Sequence, residues 1–301
     1  MTSDTTVVRM DDVRFQWVRG GEFALNGLSV AAERGEAIGL LGRNGAGKTT
    51  LLRMLTGQIA ARSGSVAVFG MDPMQRGDDV RRRIGFVPEA DELPAHLSVA
   101  RIVELHRALF PTWDDALCRA LQARFPVPGN KTAAQLSKGQ ARQVALVCAL
   151  AHRPELLLLD EPASGLDPAM RREFLETALE FLDDRTTLIF SSHHVQDVER
   201  LASRIVVLSH GKVLVDSPSD ALQEGHCVLA VRRDEHEDLG RELSGYRGCI
   251  RVRRHKDELR AVLRGDRAHH ADWLLVNGVD AAACRSASLE DLFVELVGRD
   301  S

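Results

Sequence analysis

A chain of 301 residues with 44% hydrophobic content is long enough for about two domains, each with its own buried core. The net charge of -4 argues against nucleic acid as the main partner, and five scattered cysteines without a Cys-x-x-Cys pair argue against a disulfide framework or a zinc site. The first residues lack the pattern of a signal peptide and no apolar run approaches the ~18 residues of a membrane span, so we expect a cytoplasmic protein.

The first predicted elements are strands in which apolar and polar residues alternate. They are Val7–Met10, Val13–Phe15 and Leu28–Val30. Trp17 follows the second strand, in a chain with only 5% aromatic residues. Its ring would either stack on a purine or pack into the sheet, and the residues alone leave both alternatives open.

A glycine-rich loop follows the predicted strand Ala37–Leu41 and precedes an apolar helix. It fits the pattern Gly, four residues, Gly-Lys-Thr, and consists of Gly42, Arg43, Asn44, Gly45, Ala46, Gly47, Lys48, Thr49 and Thr50. Glycines let the backbone turn tightly, so that its N–H groups and the positive end of the helix face one anion. The loop predicts a nucleoside triphosphate, with Lys48 on its β- and γ-phosphates and the Thr49 hydroxyl on Mg²⁺. The alternative is a glycine turn with an exposed lysine.

The next predicted elements are short. Gly64–Gly70 predicts a short strand between glycines. Asp78–Arg83 predicts an exposed basic helix, and Ile84–Val87 predicts a second apolar strand. Glu89 follows that strand, at the edge where an α/β sheet places ligand-facing residues.

From residue 90 to residue 140 the pattern becomes helical. Apolar residues recur at helical spacing up to Leu109, and Trp113–Phe125 predicts a second helix. Leu136-Ser-Lys-Gly-Gln140 then precedes the apolar helix Val144–Ala151. Ser137 and Gly139 would supply N–H donors at a positive helix end, or would form an ordinary helix cap.

Leu156–Leu159 is a run of four leucines, typical of a strand buried on both faces, and two acids follow it. Asp160 is a candidate for holding Mg²⁺ through its water shell, and Glu161 for positioning an attacking water. After a predicted helix, Met170–Leu182, the strand Thr187–Ser191 leads to His193, whose imidazole would either reach a γ-phosphate or have a structural role.

The remaining elements indicate a hairpin and then a second unit. The hairpin strands are Arg204–Ser209 and Lys212–Val215. Beyond Pro218 the predicted strands are Cys227–Val231, Ile250–Val252 and Leu259–Leu263, and the predicted helices are Glu237–Leu243, Ala268–Val276 and the amphipathic Ser288–Val297. Because this tail carries no catalytic constellation, we expect a packing or dimerisation module.

The ordered motifs together resemble the ABC-type ATPases, the nucleotide-binding subunits of ABC transporters, over about residues 7–217. They are Gly42–Thr49, Glu89, Leu136–Gln140, Leu156–Glu161, Ser164–Asp167 and His193. The resemblance implies an α/β fold of the P-loop NTPase type. The ATPase domain would comprise residues 1–222, with a helical subdomain at about 90–140, and residues 223–301 would form a small C-terminal α+β domain.

The resemblance also implies the ligands and a dimer. ATP and Mg²⁺ would bind in the cleft, with adenine on Trp17, the metal near Thr49, Glu89 and Asp160, and Glu161, His193 and Lys48 as the catalytic group. Two chains, identical or related, would pair head to tail. The signature residues of one chain would then close on the ATP of the other, and these are Ser137, Lys138, Gly139 and Gln140. Ser164–Asp167 would link the two sites.

Two positions depart from the family pattern. Glu89 replaces the usual glutamine, which adds a negative charge beside the metal, and Lys138 replaces a signature glycine. Phe110–Asp114 and the final helix are similar to the bacterial branch with separate ATPase and permease chains, often exporters.

The function that this resemblance implies is ATP hydrolysis that drives a membrane permease, at the inner face of the cell membrane. One alternative is a soluble ABC-type ATPase that acts on nucleic acid or ribosomes, but the chain has no basic surplus, and no nucleic acid partner is expected. The other alternative is a non-catalytic adaptor, and the presence of Glu161 and His193 argues against it.

Overall fold

The computed structural model describes residues 5–90, 93–232, 238–255 and 257–297. The strands of the N-terminal unit are β1 (Thr6–Phe15), β2 (Leu25–Glu33), β3 (Ala37–Leu41), β4 (Ser63–Val68), β5 (Ile84–Val87), β6 (Leu156–Leu159), β7 (Thr187–Ser192), β8 (Arg204–Ser209) and β9 (Lys212–Pro218). Its helices are α1 (Lys48–Leu55), α2 (Gly77–Arg81), α3 (Val99–Leu109), α4 (Asp115–Arg124), α5 (Lys138–Leu150), α6 (Pro168–Glu180), α7 (Val195–Leu201) and α8 (Ser219–Glu224).

A six-stranded sheet in the order β5-β6-β7-β3-β8-β9 forms the centre of this unit. Its first five strands run parallel, and β9 returns beside β8 as an antiparallel hairpin. Parallel strands end on one edge of a sheet, so the loops after β3, β5, β6 and β7 meet there. This topology brings together sequence motifs that lie far apart in the chain.

A separate antiparallel sheet, in the order β2-β1-β4, contributes the region around Trp17. The two predicted strands Val7–Met10 and Val13–Phe15 form the single strand β1, with a register shift between Met10 and Val13. Asp12 has a φ of 45° at this bulge, which explains why the alternation of apolar residues breaks there.

The helical insert consists of α3, α4 and the start of α5. The helices α4 and α5 begin at residues other than those predicted, because capping side chains determine where they start. The predicted helix from Trp113 begins only at Asp115, because the Asp114 carboxylate accepts the N–H groups of Ala116 and Leu117. The α5 helix extends well N-terminal of the predicted Val144, because Ser137 and Gln140 form a reciprocal capping box at its start.

The C-terminal unit is an antiparallel sheet with helices on both faces. Its elements are β10 (His226–Arg232), α9 (Leu239–Gly245), β11 (Cys249–His255), β12 (Glu258–Arg264), α10 (Arg267–Val276), β13 (Cys284–Ser286) and α11 (Leu289–Val297), with strand order β11-β12-β10-β13. The sequence did not predict α8 or β13, which are short. Glu237, the predicted start of α9, lies outside the described residues.

Alternate residues of β10 and β12 point to opposite faces of the C-terminal sheet. Leu229 and Leu263 pack with α9 and α10 in one apolar cluster. Val228 and Val262 instead belong to a larger cluster that includes α11 and the core of the N-terminal unit. The C-terminal unit therefore shares a continuous apolar core with the rest of the chain. Among the described residues, no helix combines the length and the apolar character needed to cross a membrane.

Candidate functional site

The glycine-rich loop connects β3 to α1 at the edge where the parallel strands end. Gly45 and Gly47 have φ values of 83° and 108°, in the left-handed region that favours glycine. A Cβ on Gly47 would lie 2.5 Å from the backbone oxygen of Ala24, so a side chain does not fit there. Gly47 is also the N-cap of α1 and provides no side-chain cap, which leaves the first N–H groups of the helix for a ligand.

A cleft of about 380 Å³ opens over this loop. Its lining contains the predicted nucleotide residues Trp17, Arg43, Asn44, Gly45, Ala46, Gly47, Lys48, Thr49 and Thr50, together with Ala24, Glu89 and Glu161. Gly42 lies beneath it and accepts a hydrogen bond from Lys48 Nζ at 2.5 Å. Trp17 stands at the mouth, past the end of β1, with 55% of its surface exposed and its ring edge-on against Phe15.

Lys48 and Glu161 form a buried ion pair in the cleft. The distance from Lys48 Nζ to Glu161 Oε1 is 3.0 Å, and both side chains are less than 10% exposed. The pair lacks hydrogen-bond geometry, so Oε1 is a buried carboxylate oxygen without a hydrogen-bond donor. The lysine predicted for the phosphates is thus held by the acid predicted for the attacking water.

His193 holds the other oxygen of Glu161. The distance from its Nδ1 to Glu161 Oε2 is 2.8 Å, and because a carboxylate accepts, Nδ1 carries the hydrogen. Its ring lies 4.0 Å from that of His194. Burial lowers the pKa of His194, and the charge of Arg171 adds to this effect. Glu161 thus contacts Lys48 through Oε1 and His193 through Oε2, and the three side chains form a continuous series.

Asp160 and Thr49 supply the oxygen atoms expected around a magnesium ion. Asp160 is 1% exposed and accepts a hydrogen bond from Ser191 Oγ at 2.7 Å. Burial raises its pKa, although hydrogen bonds from Ser191 and Thr49 oppose the rise. The charges of Glu89 and Glu161 raise it further. Since a cation would relieve this crowding of acids, the donor set fits Mg²⁺.

The described residues contain no group of three or more His, Cys, Asp or Glu side chains able to hold a metal by themselves. In general, Mg²⁺ takes one or two carboxylates and completes its shell with phosphate and water oxygens.

Two residues that the sequence did not predict for the site hold the acids in place. Ser191 Oγ accepts the N–H of Glu161 at 2.7 Å while it donates to Asp160. Arg142, 1% exposed, donates to the backbone oxygens of Glu161 and Glu89. Glu161 has a φ of 43°, a strained value that these contacts help to maintain. The only available signal for Arg142 was its position just after the signature.

Comparison with known proteins identifies the family. The profile described as ABC transporter matches residues 25–164. The chain is 31% identical to the Nod factor export ATP-binding protein I of a Rhizobium species, over 93% of this chain and 94% of that protein. The chain belongs to the ATP-binding subunits of ABC transporters. It is also 28% identical to the bacitracin transport ATP-binding protein BcrA of Bacillus licheniformis, over 98% of both chains.

Solved structures agree with the assignment of this chain to the ABC ATPases. An ATP-binding subunit of an ABC transporter superposes with a TM-score of 0.66 at 25% identity, over 72% of this chain and 92% of that one. A dimeric ATP-binding cassette with bound ADP and phosphate superposes with a TM-score of 0.63 at 22% identity, which shows the common fold. The predicted P-loop NTPase fold and ATP-hydrolysing function are confirmed, and the nucleic acid alternative receives no support from these relatives.

The signature of the ABC ATPase lies away from its own cleft. None of its four residues belongs to the described lining of that cleft. Ser137 and Gln140 cap α5, and Gly139 is buried against Met170, whose Cε would clash with an added Cβ. Lys138 is exposed, and its Nζ lies beside Gly165 of the segment Ser164–Asp167. The signature and this segment thus adjoin each other on the outer surface.

Proposed function

We propose that two copies of the ABC ATPase, or one copy and a related chain, close head to tail around two ATP molecules. The proposal rests on the observation that the predicted nucleotide-binding residues lie on two separate surfaces of one chain. Glu161 contacts both Lys48 and His193 at the cleft, while Ser137 and Lys138 are exposed and lie outside the described cleft lining. Besides capping α5, an outward signature can contact a nucleotide only on a second chain.

Within the cleft, the side chains would take the following roles. Lys48 would leave Glu161 and bind the β- and γ-phosphates. Release of the lysine would leave Glu161 Oε1 unpaired, and this oxygen would then accept a hydrogen bond from the attacking water. His193 would keep Oε2 fixed, so that the carboxylate does not rotate away.

The metal site would be formed by Thr49 and Asp160, with Glu89 at its exposed side. Bound Mg²⁺ would neutralise the charge that develops on the phosphates during transfer. Ser191 would keep the Asp160 carboxylate oriented, since it donates to one of its oxygens. Trp17 would stack on the adenine at the mouth of the cleft, where its ring is largely exposed.

ATP would act as the ligand that favours the closed dimer. A ligand shifts a two-state equilibrium by its difference in affinity for the two states. ATP would bind the closed dimer more tightly than the open form, because its γ-phosphate would touch Lys48 of one chain and Ser137 of the other. Hydrolysis removes this link, and the dimer would open.

The partner would be a membrane permease that docks in a second cavity of about 290 Å³ between the sheet and the helical insert. Its lining is mostly apolar and includes Phe86, Phe110 and Ala145. Arg142 also lines this cavity and donates to the backbone of Glu89 and Glu161. It would therefore transmit motion between the permease and the site.

With a permease as its partner, the ABC ATPase would act in the cytoplasm, on the inner face of the cell membrane. Residues 1–222 would form the ATPase domain and residues 223–301 the accessory domain. One relative is named for Nod factor export, which supports export as the direction of transport, and another is named for bacitracin transport.

The test is co-purification from native membranes. Tagged Glu161→Gln protein with ATP and Mg²⁺ is expected to retain a permease in stoichiometric amounts, because ATP stays bound and the dimer stays closed. Lys48→Ala protein serves as the control that does not bind ATP. Recovery of ribosomal or DNA-bound partners, with no membrane protein, would contradict the transporter assignment of the partner.

A further inference from the structure

The final helix, α11, packs against the helix that follows His193. Leu289, Leu292 and Leu296 of α11 are each 1% exposed and lie in the apolar cluster that also contains Val195 and Val198 of α7. Two neighbouring helices that share buried apolar side chains are held at a fixed spacing, since protein interiors are close-packed. The position of α7 therefore depends on α11.

Helix α7 is also in contact with the central sheet. Gly39 of β3 lies so near Val198 that a Cβ on the glycine would be 2.6 Å from Val198 Cγ1. Asp197 of the same helix pairs with Arg171 and accepts a hydrogen bond from Ser192 Oγ at 3.2 Å. As α7 has only seven residues, these contacts and those to α11 fix its orientation.

The C-terminal sheet in turn holds α11 by a buried charge cluster. Glu295 is 5% exposed, and its carboxylate lies 3.4 Å from Arg253 and 3.0 Å from Arg260. Arg253 also donates to the backbone oxygen of Val294 at 2.8 Å. Cations at the C-terminal end of a helix are stabilising, because carbonyl groups there lack partners. The sheet thus anchors α11.

His193 lies at the end of this chain of contacts. The sequence runs from β7 through Ser192, His193 and His194 directly into α7. A movement of α7 would displace the imidazole, which lies 2.8 Å from Glu161. Hydrogen-bond geometry changes strongly over a few tenths of an ångström, and a misplacement of 1 Å costs about 100-fold in rate.

We infer that α11 is a positioning element for hydrolysis, in which Leu292 holds α7 and thereby the His193–Glu161 contact. The C-terminal unit then contributes to turnover without touching the nucleotide. This inference rests on the role proposed above for His193.

The experiment measures ATP turnover and ATP affinity of the full chain carrying Leu292→Ala. We expect kcat to fall about 10- to 100-fold while the dissociation constant for ATP stays within about twofold, because the described lining of the cleft over the phosphate loop contains no residue of α11. Leu292→Met, which conserves volume, is expected to restore most of kcat. Val294→Ala is the matched control, since Val294 is 49% exposed on the same helix.

A double variant distinguishes an effect of Leu292 on the position of His193 from a general loss of structure. If Leu292 acts through His193, Leu292→Ala adds little to the loss caused by His193→Ala; multiplicative losses would overturn the inference. Equal weakening of turnover and ATP affinity would also overturn it. Should Leu292→Ala fail to fold by circular dichroism, Leu292→Val, with an expected loss of about threefold, is measured in its place.

The inference and the proposed function fail in different ways. Wild-type turnover in folded Leu292→Ala, together with slow turnover in His193→Ala, would overturn the inference alone. Wild-type turnover in His193→Ala would overturn the proposed role of His193, and the inference with it.

Discussion

Replacing Glu161 with glutamine is expected to strengthen nucleotide binding while it stops turnover. Lys48 of the ABC ATPase is paired with Glu161 at 3.0 Å, so a bound phosphate has to compete with the carboxylate for the same ammonium group. Glutamine has nearly the same shape but no charge. The competition, and the repulsion between the carboxylate and the phosphates, would both be removed.

The size of the effect follows from the distance and the burial of the pair. Opposite unit charges 3.0 Å apart attract by about 5.5 kcal/mol at an effective dielectric constant of about 20. Desolvation of two buried groups offsets much of this attraction, so that a charged contact of this kind contributes about 1.5 to 3 kcal/mol. With 1.4 kcal/mol for each factor of ten, affinity should rise about 10- to 100-fold.

The assay is isothermal titration calorimetry with ADP and Mg²⁺. ADP lacks the γ-phosphate that would join two chains, so its affinity reports on the loop and not on dimer closure. Glu89→Gln is the matched control, because Glu89 lines the same cleft but its exposed carboxylate is not paired with Lys48. An ADP affinity of Glu161→Gln within twofold of wild type, or an equal gain in Glu89→Gln, would refute the reasoning.

The other predictions concern the loop, the dimer and the pH dependence of stability. Lys48→Ala should abolish ATP binding in calorimetry, because the phosphates lose the ammonium group of the loop; near-normal affinity would remove Lys48 from the site. Glu161→Gln should lower kcat about 100- to 10,000-fold and elute as a dimer in gel filtration with ATP and Mg²⁺; a monomer there would count against the shared site. Burial lowers the pKa of His152 below its ordinary 6.5, so the unfolded chain takes up the proton first as the pH falls. The free energy of unfolding should therefore decrease below about pH 6.5, and urea titrations at pH 7.5 and 5.5 should show a smaller decrease for His152→Gln; equal decreases would exclude His152 as a cause.

Much of the site could be predicted from the sequence, because its signals are local. The tight turn of the loop needs glycines at fixed spacing, and β3 was predicted with its observed bounds, Ala37–Leu41. Four consecutive leucines indicated the buried strand β6, and Asp160 and Glu161 lie at its end, as the pattern implied. Parallel strands then bring such end positions together, and this made the clustering of the motifs predictable.

Side-chain pairing and long-range packing were decided by the tertiary structure. The Lys48–Glu161 pair, the bridging by Ser191 and the bond from Arg142 to the oxygen of Glu161 join residues on separate strands and helices. Each depends on rotamers and backbone angles, such as the φ of 43° at Glu161, that no local pattern specifies.

The C-terminal unit shows the same limit. Its helices and longer strands followed from apolar spacing, and α11 was predicted as an amphipathic helix. An amphipathic face shows that a helix buries one side, but it does not show against what. That α11 buries Leu292 in the apolar cluster that also contains Val195 and Val198 of α7 results from the folded arrangement of the whole chain, because contacts between distant segments form only when their backbones have been brought together.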